Sequence, residues 1–307
     1  MKCVVCSKDG SVLTASYGSA GAGVYRAYRC PECSVSFSDP MKPMTAEEYQ
    51  ALPFEGYYAD RWEFGKALRF LKGCKTILEV GCGDGRFLSI ARKQGLQVVG
   101  LDLNTEAVNI AKQRSGSDRV YGWSIERFAK TFPHEKFDAV CAFHIVEHLE
   151  DPAGFMRIAS AVLNPRGLFV AAVPNQKRQS LFYGERETWD CPPHHLTWWN
   201  KKSLGRLMEL SGFDMIAGID EPVTAKRTVE VMINRIRFGA ITGIKKSLAG
   251  KRHDADVPAG RNADLASGIL ADCKRVAFYP AAIIWALADR CRGLTGRNML
   301  IAARKKD

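Results

Sequence analysis

The chain has 307 residues, of which 46% are hydrophobic, 25% charged and 10% aromatic. That balance excludes a disordered, collagenous or acidic-tail protein and provides enough length for one large domain with attachments. The formal charge of +11 points at first to nucleic acid or an anionic membrane, yet residues 1–222 carry 27 basic against 26 acidic side chains and residues 223–307 carry 17 against 7. A nearly neutral body is therefore followed by a basic C-terminal stretch. No apolar run is long enough to span a membrane, and an N-terminus with Lys2, Lys8 and Asp9 has no signal-peptide core, so the expected location is the cytoplasm.

The first predicted element is a metal-binding module. Of ten cysteines, four are paired as Cys3-x2-Cys6 and Cys30-x2-Cys33, whereas Cys74, Cys82, Cys141, Cys191, Cys273 and Cys291 lack the spacing of a disulfide framework. Two Cys-x2-Cys turns, separated by the stretch from Ser7 to Arg29, can set four thiolates tetrahedrally about one ion, and sulfur ligands in that arrangement select zinc. Between them Tyr17, Tyr25 and Tyr28 stand amid Gly18, Gly21 and Gly23, and Val35 and Phe37 alternate after the second turn. Residues 1–39 are expected to form a zinc ribbon in which the ion replaces a core too small to form alone. Four cysteines close the coordination shell, so this zinc is structural rather than catalytic, with recruitment of substrate as the alternative role. Residues 40–72 read as a helical, aromatic-rich cap whose Tyr57, Tyr58 and Trp62 belong either over a ligand or in the core.

The chemistry begins at residue 76. Thr76-Ile77-Leu78-Glu79-Val80 is a short apolar strand running into Gly81-Cys82-Gly83-Asp84-Gly85, and a helix with Phe87, Leu88, Ile90 and Ala91 on its buried face follows. A second strand, Gln97 to Leu101, ends in the acid Asp102. Strand, glycine loop, helix, strand and acid make a nucleotide-binding βαβ unit. The glycine pattern alone is weak, and the charges around it choose the ligand. Glu79 and Asp84 would repel a dinucleotide phosphate and suit a cation, while Asp102 can hold a ribose diol.

On these residues the chain resembles the class I S-adenosylmethionine-dependent methyltransferases, whose first motif matches Glu79 to Gly85 and whose acid after the second strand matches Asp102. The resemblance covers most of the chain. It implies an α/β fold with a doubly wound, seven-stranded Rossmann-like sheet built from residues 73–222 and a last strand in residues 297–307. It also implies a cofactor, S-adenosyl-L-methionine, contacted by Glu79, Gly81, Gly83, Gly85, Asp102, Leu103, Ser124, Ile125 and Phe143. Further strands are predicted at Arg119 to Trp123, Phe137 to Phe143, Gly167 to Val173, Phe213 to Asp220 and Asn298 to Ala303. In this family the last strand enters antiparallel between the fifth and sixth.

Residues following the fourth strand face the transferred methyl group, and there the chain reads His144-Ile145-Val146-Glu147-His148. A second pair, His194 and His195, falls in Pro192-Pro193-His194-His195-Leu196-Thr197-Trp198-Trp199, before a helix expected at Lys202 to Ser211. Two chemistries compete. His144, His148 or His195 is the base that deprotonates a hydroxyl acceptor, or a second divalent ion is bound by Glu147 and His148 with His144 and His195. The latter resembles the metal-dependent small-RNA 2′-O-methyltransferases, with His144 replacing a glutamate. The pattern His144 to Pro152 most resembles ubiquinone-biosynthesis-type O-methyltransferases. A third, purely structural alternative has Glu147 and His148 open the next helix and hydrogen-bond loop backbone. Trp198 and Trp199 are expected as lid or core aromatics rather than a base-stacking platform.

Residues 223–296 are expected to be a basic helical insertion. Lys226 to Arg252 holds eight cations against Glu230, and an uncharged run extends from Val276 to Ala288. This insertion is a solvated basic face over a core helix, a surface for a membrane or lipid-linked substrate, or an RNA contact. His253 to Ser267 reads as a loop. Together these features predict an O-methyltransferase acting on a small-molecule, sugar or lipid-linked acceptor, with an RNA methyltransferase as the alternative.

Overall fold

In a computed structural model of the chain, the residues described are 1–19, 23–45, 47–48, 61–178, 181, 190–231, 233 and 282–307. The N-terminal residues form β1 (Val12–Ser19), β2 (Gly23–Arg29) and β3 (Ser36–Asp39), and the apolar run at residue 76 forms β4 (Thr76–Val80), flanked by β5 (Gln97–Leu101) and β7 (Phe137–Phe143). With β6 (Val120–Tyr121), β8 (Leu163–Pro174), β10 (Phe213–Asp220) and β11 (Asn298–Lys305), strands β4, β5 and β7 make a seven-stranded sheet of order β10-β11-β8-β7-β4-β5-β6. Strands β4 to β8 pair in parallel, and β11 lies antiparallel between β8 and β10. The seventh strand thus enters where the resemblance implies.

Both faces of β4 and β7 are buried, which is why these strands read as continuous apolar runs instead of alternating ones. Neighbouring residues point to opposite sides: Ile77 joins a cluster with Phe87, Leu88 and Val98, while Leu78 joins one with Phe128, Phe155 and Phe169. The helices covering these faces are α1 (Trp62–Phe70), α2 (Arg86–Lys93), α3 (Thr105–Ser115), α4 (Ile125–Thr131), α5 (Pro152–Val162) and α6 (Lys201–Leu210). Their starts follow from capping chemistry: Asn104, Ser124, Asp151 and Asn200 each accept a backbone N–H from the first turn, and Pro152 opens α5. Strand order reverses between β4 and β7, so the crevice for a ligand lies beyond the carboxyl ends of these two strands.

Strands β1, β2 and β3 form an antiparallel meander whose last strand pairs with β9 (Thr197–Trp198). Cys3, Val5, Cys30, Cys33, Val35 and Phe37 belong to the same buried cluster as Leu78 and Phe169. The ribbon is packed into the sheet protein and is not a tethered appendage.

Some predicted limits shift. Strand β8 begins at Leu163, earlier than the predicted Gly167, because α5 runs to Val162 and the chain passes directly into pairing with Phe137, taking Arg166 through a positive φ of 58°. Strand β6 is two residues long, since Gly122 and Trp123 turn into the Ser124 cap. Of the cap predicted at residues 40–72, α1 is described, whereas residues 46 and 49–60, with Tyr57 and Tyr58, lie outside the described residues.

Residues 177–186 and 222–297 form a second compact unit. Within it residues 225–231 and 282–291 are helical, and the Arg290 guanidinium donates twice to the Val223 carbonyl. In the helix at 282–291, Ala282 and Ala286 are buried while Ile284 and Leu287 are exposed. Most of the basic run Lys226 to Arg252, the start of the uncharged run Val276 to Ala288 and the loop His253 to Ser267 lie outside the described residues. Among the described residues no helix is long and apolar enough to cross a membrane.

Candidate functional site

The glycine loop is built from backbone that side chains would obstruct. Gly81 and Gly85 have φ values of 72° and 76°. A Cβ on Gly81 would meet Ile145 Cδ1 at 2.0 Å, and one on Gly85 would meet the Ala111 backbone at 2.7 Å. Gly83 donates its N–H to Asp102 Oδ2 (2.8 Å) and Asn104 donates to Asp102 Oδ1 (2.9 Å), so the acid after β5 braces the loop. Burial raises the Asp102 carboxyl, and the backbone donors pull it back only in part. Glu79 is 2% exposed and its Oε2 has no hydrogen-bond partner among the described residues. Burial first, then the neighbouring Asp102 and Asp84, push its carboxyl well above the ordinary value. Asp84 differs from the sequence expectation: it is ion-paired with Arg86 (3.1 Å) and Arg114, so its charge is already answered within the protein.

A cavity of about 310 Å³ opens beside this loop, within the range of small-molecule sites. Gly81, Asp102, Leu103, Ser124 and Ile125 line it, and His148 and His194 stand on its wall. Four predicted cofactor residues do not line it. Glu79 lies under the loop, Gly83 and Gly85 shape it, and Phe143 is turned into the core, where its ring meets Phe64 at 5.2 Å and Phe87 at 4.7 Å.

The histidines separate into two groups. His144, at φ 58°, turns the chain after β7, and its ring is taken up by two acids, with Nε2 2.8 Å from Glu63 Oε1 and Nδ1 3.3 Å from Glu147 Oε1. Burial disfavours its cation, but Glu147 and Glu63 outweigh that and raise its pKa. His144 therefore does not join the other histidines, contrary to the ligand set that included it. Glu147 and His148 sit in a single 3-10 turn, Val146–His148, and α5 starts only at Pro152, so they do not open the next helix, while His148 does bond loop backbone as the structural alternative expects. The Glu147 carboxylate is buried, with Oε1 against the His144 ring and no partner at Oε2 among the described residues. Burial would raise it, yet the contact with His144 and the nearby rings of His148 and His195 hold it down at about 2.

The second group is His148, His194 and His195. Their ring centroids lie 4.6 to 4.9 Å apart, and one ligand atom from each falls within 4.8 Å of the others. His148 Nδ1 donates to the His194 carbonyl (2.5 Å), and His195 Nδ1 donates to Asp190 Oδ1 (3.1 Å). Burial, together with the neighbouring rings of His195 and His194, lowers the His148 pKa to about 3, so its ring is neutral and a weak base. Backbone pairing brings the two segments together: Leu196 N–H donates to the Glu147 carbonyl (2.8 Å), and Thr197 Oγ1 to the Val146 carbonyl (3.3 Å).

The methyltransferase domain family model matches residues 56–217, more than half the chain and nearly all the elements that frame the cavity. The chain belongs to the methyltransferase domain family. Among curated relatives, a ubiquinone biosynthesis O-methyltransferase of Rhodopseudomonas palustris (strain HaA2) is 29% identical over 159 residues, 49% of this chain and 62% of the relative. Another, of Bradyrhizobium sp. (strain ORS 278), is 35% identical over 120 residues, covering 38% and 46%. The chain thus spans 46% to 62% of the length of these relatives. Among solved structures, a SAM dependent methyltransferase from Archaeoglobus fulgidus is 17% identical, with TM-score 0.49, over 85% of this chain and 95% of that one.

Outside the methyltransferase match, Cys3, Cys6, Cys30 and Cys33 also converge, their sulfurs within 4.8 Å of one another. The two turns are built alike: Ser7 and Ser34, each following the second cysteine or its equivalent, adopt positive φ (56° and 66°) and donate their N–H to the carbonyls of Cys3 and Cys30 (both 3.0 Å). Trp199 is fully buried and Trp198 stacks on Tyr17 at 6.1 Å, so both are core aromatics. Three participants escaped the sequence reading. His194 was visible as half of a histidine pair, Asp190 had only its nearness to that pair as a signal, and Glu63 pairs with a histidine 81 residues away with no local signature at all.

Proposed function

We propose that the chain is an S-adenosylmethionine-dependent methyltransferase that methylates an oxygen of a small-molecule, sugar or lipid-linked acceptor. The observation that carries the reading is the cavity, which has the glycine loop, Asp102 and the Ser124–Ile125 turn on its wall together with His148 and His194. The residues fit the cofactor. Each Asp102 oxygen accepts one backbone N–H, which leaves lone pairs for a ribose diol. Ser124 and Ile125 offer an edge for adenine, and the unpartnered Glu79 oxygen suits an ammonium. The family membership and the names of the relatives, which are O-methyltransferases, support transfer to oxygen.

When bound, S-adenosylmethionine supplies a methyl group on a sulfonium sulfur. The protein's own part is alignment: a rigid loop and a buried sheet edge hold the acceptor oxygen in line, which substitutes for the entropy of encounter. The hydroxyl proton leaves at the histidine rim. The four ribbon cysteines hold one structural zinc ion.

Calorimetric titration with S-adenosylhomocysteine tests the cofactor, and absence of binding would remove the reading. Tritiated methyl transfer from S-adenosylmethionine into fractionated cell extract tests the acceptor. Label is expected in small-molecule or lipid pools, and label in RNA alone would overturn that part.

A further inference from the structure

We propose that His148, His194 and His195 form an open tri-histidine site for a divalent transition-metal ion at the rim of the cofactor cavity. The fourth ligand position is left for the acceptor oxygen. The role assigned to that fourth position rests on the methyltransferase reading; the ion site itself does not.

Three features carry the inference. The first is convergence: two segments 46 residues apart in sequence bring three imidazoles to mutual ring distances of 4.6 to 4.9 Å, with one nitrogen from each inside a 4.8 Å set. A tetrahedral ion with bonds of about 2.0–2.1 Å needs its nitrogens roughly 3.3 Å apart, so modest ring rotations close the site. The second is tautomer control. His148 Nδ1 faces a backbone carbonyl and His195 Nδ1 the Asp190 carboxylate, both acceptors, so Nε2 is the nitrogen that each ring has left for an ion. A carboxylate behind a ligating histidine is the usual outer-shell support of a metal. The third is charge. Glu147 is a buried carboxylate one position before His148; its Oε1 lies 3.3 Å from His144 Nδ1 and its Oε2 has no partner among the described residues, so it places negative charge beside the site.

This ligand set differs from the one expected from sequence. His144 is withdrawn to Glu63, Glu147 stands behind the ligands instead of among them, and His194 enters. Three imidazoles without a thiolate suit zinc, cobalt(II), nickel(II) or iron(II) and disfavour magnesium or calcium. Three protein ligands leave an open position, as in catalytic zinc sites, in contrast with the closed four-cysteine ribbon. An acceptor hydroxyl bound there would lose its proton to solvent. Its oxygen would then form the O–CH3 bond as the S–CH3 bond breaks, with the bond pair passing to sulfur, which leaves as a neutral thioether.

The test is a cobalt(II) titration of the full chain with elemental analysis. The wild type should take up two ions, one giving intense thiolate-to-cobalt bands and one giving only weak ligand-field bands. A His194→Asn, His195→Asn variant should take up one, with the thiolate bands intact; those bands report that the ribbon and what it packs against remain folded. Asp190→Asn, which removes no ligand, should weaken the second ion roughly 10- to 100-fold. One ion in the wild type at saturating cobalt, two in the double variant, or unchanged second-ion affinity in Asp190→Asn would each overturn the site. Failure of S-adenosylhomocysteine to bind would instead remove the methyltransferase reading and leave the ion count standing.

Discussion

Burial favours the protonated form of a carboxyl group until a cation arrives beside it, and Glu79 is a buried carboxyl of this kind. Its Oε2 is orphaned among the described residues, and burial plus the charges of Asp102 and Asp84 raise its pKa well above 4.5. A ligand ammonium favours the ionised form, so the pKa in the complex lies below that of the free protein. Binding of S-adenosylhomocysteine, which carries the same ammonium, should therefore release protons, and affinity should rise with pH between the bound and free values. The measurement is titration calorimetry in two buffers of different ionisation enthalpy. The apparent binding enthalpies should differ in the wild type and coincide in Glu79→Gln; equal enthalpies in the wild type would mean that Glu79 does not sense the ligand. The same logic separates Glu79 from Asp84, whose charge Arg86 and Arg114 already answer.

Single elements are joined by a few polar ties, and Asp138 is the one that sets β4 against β7 and β8. Its Oδ2 accepts the N–H groups of Lys75 (2.7 Å) and Thr76 (3.1 Å), and its Oδ1 accepts Asn164 Nδ2 (2.9 Å). Partial burial opposes ionisation, but these donors outweigh it and hold the carboxyl below 3.8. A depressed pKa contributes stability that is present above the unfolded value and is lost as pH falls through the folded one. Asp138→Ala should therefore cost on the order of 1–2 kcal/mol in urea unfolding at pH 7. The gap to wild type should narrow once pH falls below 3.8, and a gap independent of pH would show that the charge contributes nothing. Elements with their own apolar runs were legible in the sequence: β4 and β7 have the predicted limits because burial on both faces fixes their composition, and β10 has them although only its first residue, Phe213, is buried. Two-residue β9 was not, since it exists only through its pairing with β3, and no local pattern encodes a partner at the other end of the fold's sequence. The site divides similarly. Local motifs exposed the glycine loop, Asp102 and both histidine pairs. The sorting of His144 away from His148, His194 and His195 depends on Glu63 and on a left-handed turn at His144, which only the assembled fold contains.

At the scale of the whole molecule, the N-terminal ribbon lies on the path that positions the histidines. Strand β3 pairs Ser36 with Trp198 and Phe37 with Thr197, Ser38 N–H donates to the Leu196 carbonyl (2.8 Å), and Asn200 Nδ2 donates to the Ser34 carbonyl (3.2 Å). On its other side the same segment bonds to Glu147 and Val146, beside His148. His194 and His195 therefore take their place because Leu196 to Asn200 is held between the ribbon and the turn after β7. Coupling between the two ion sites is reciprocal, and it is read most directly from the ribbon side. The ribbon is defined by its own β1–β2 pairing and its four cysteines, whereas the histidine segment has no regular strand or helix apart from β9 among the described residues. A Cys3→Ser, Cys33→Ser variant should lose the ribbon ion and weaken the histidine-site ion at least about tenfold, a coupling of about 1.4 kcal/mol or more. The His194→Asn, His195→Asn variant should still bind the ribbon ion, with its affinity lowered by no more than the same factor. Because Cys3 and Cys33 share one buried cluster with Leu78 and Phe169, the ribbon variant should also melt at lower temperature in a single transition. Unchanged affinity at the histidine site, or a separate low-temperature ribbon transition, would show that the module is an attachment and does not position the histidines.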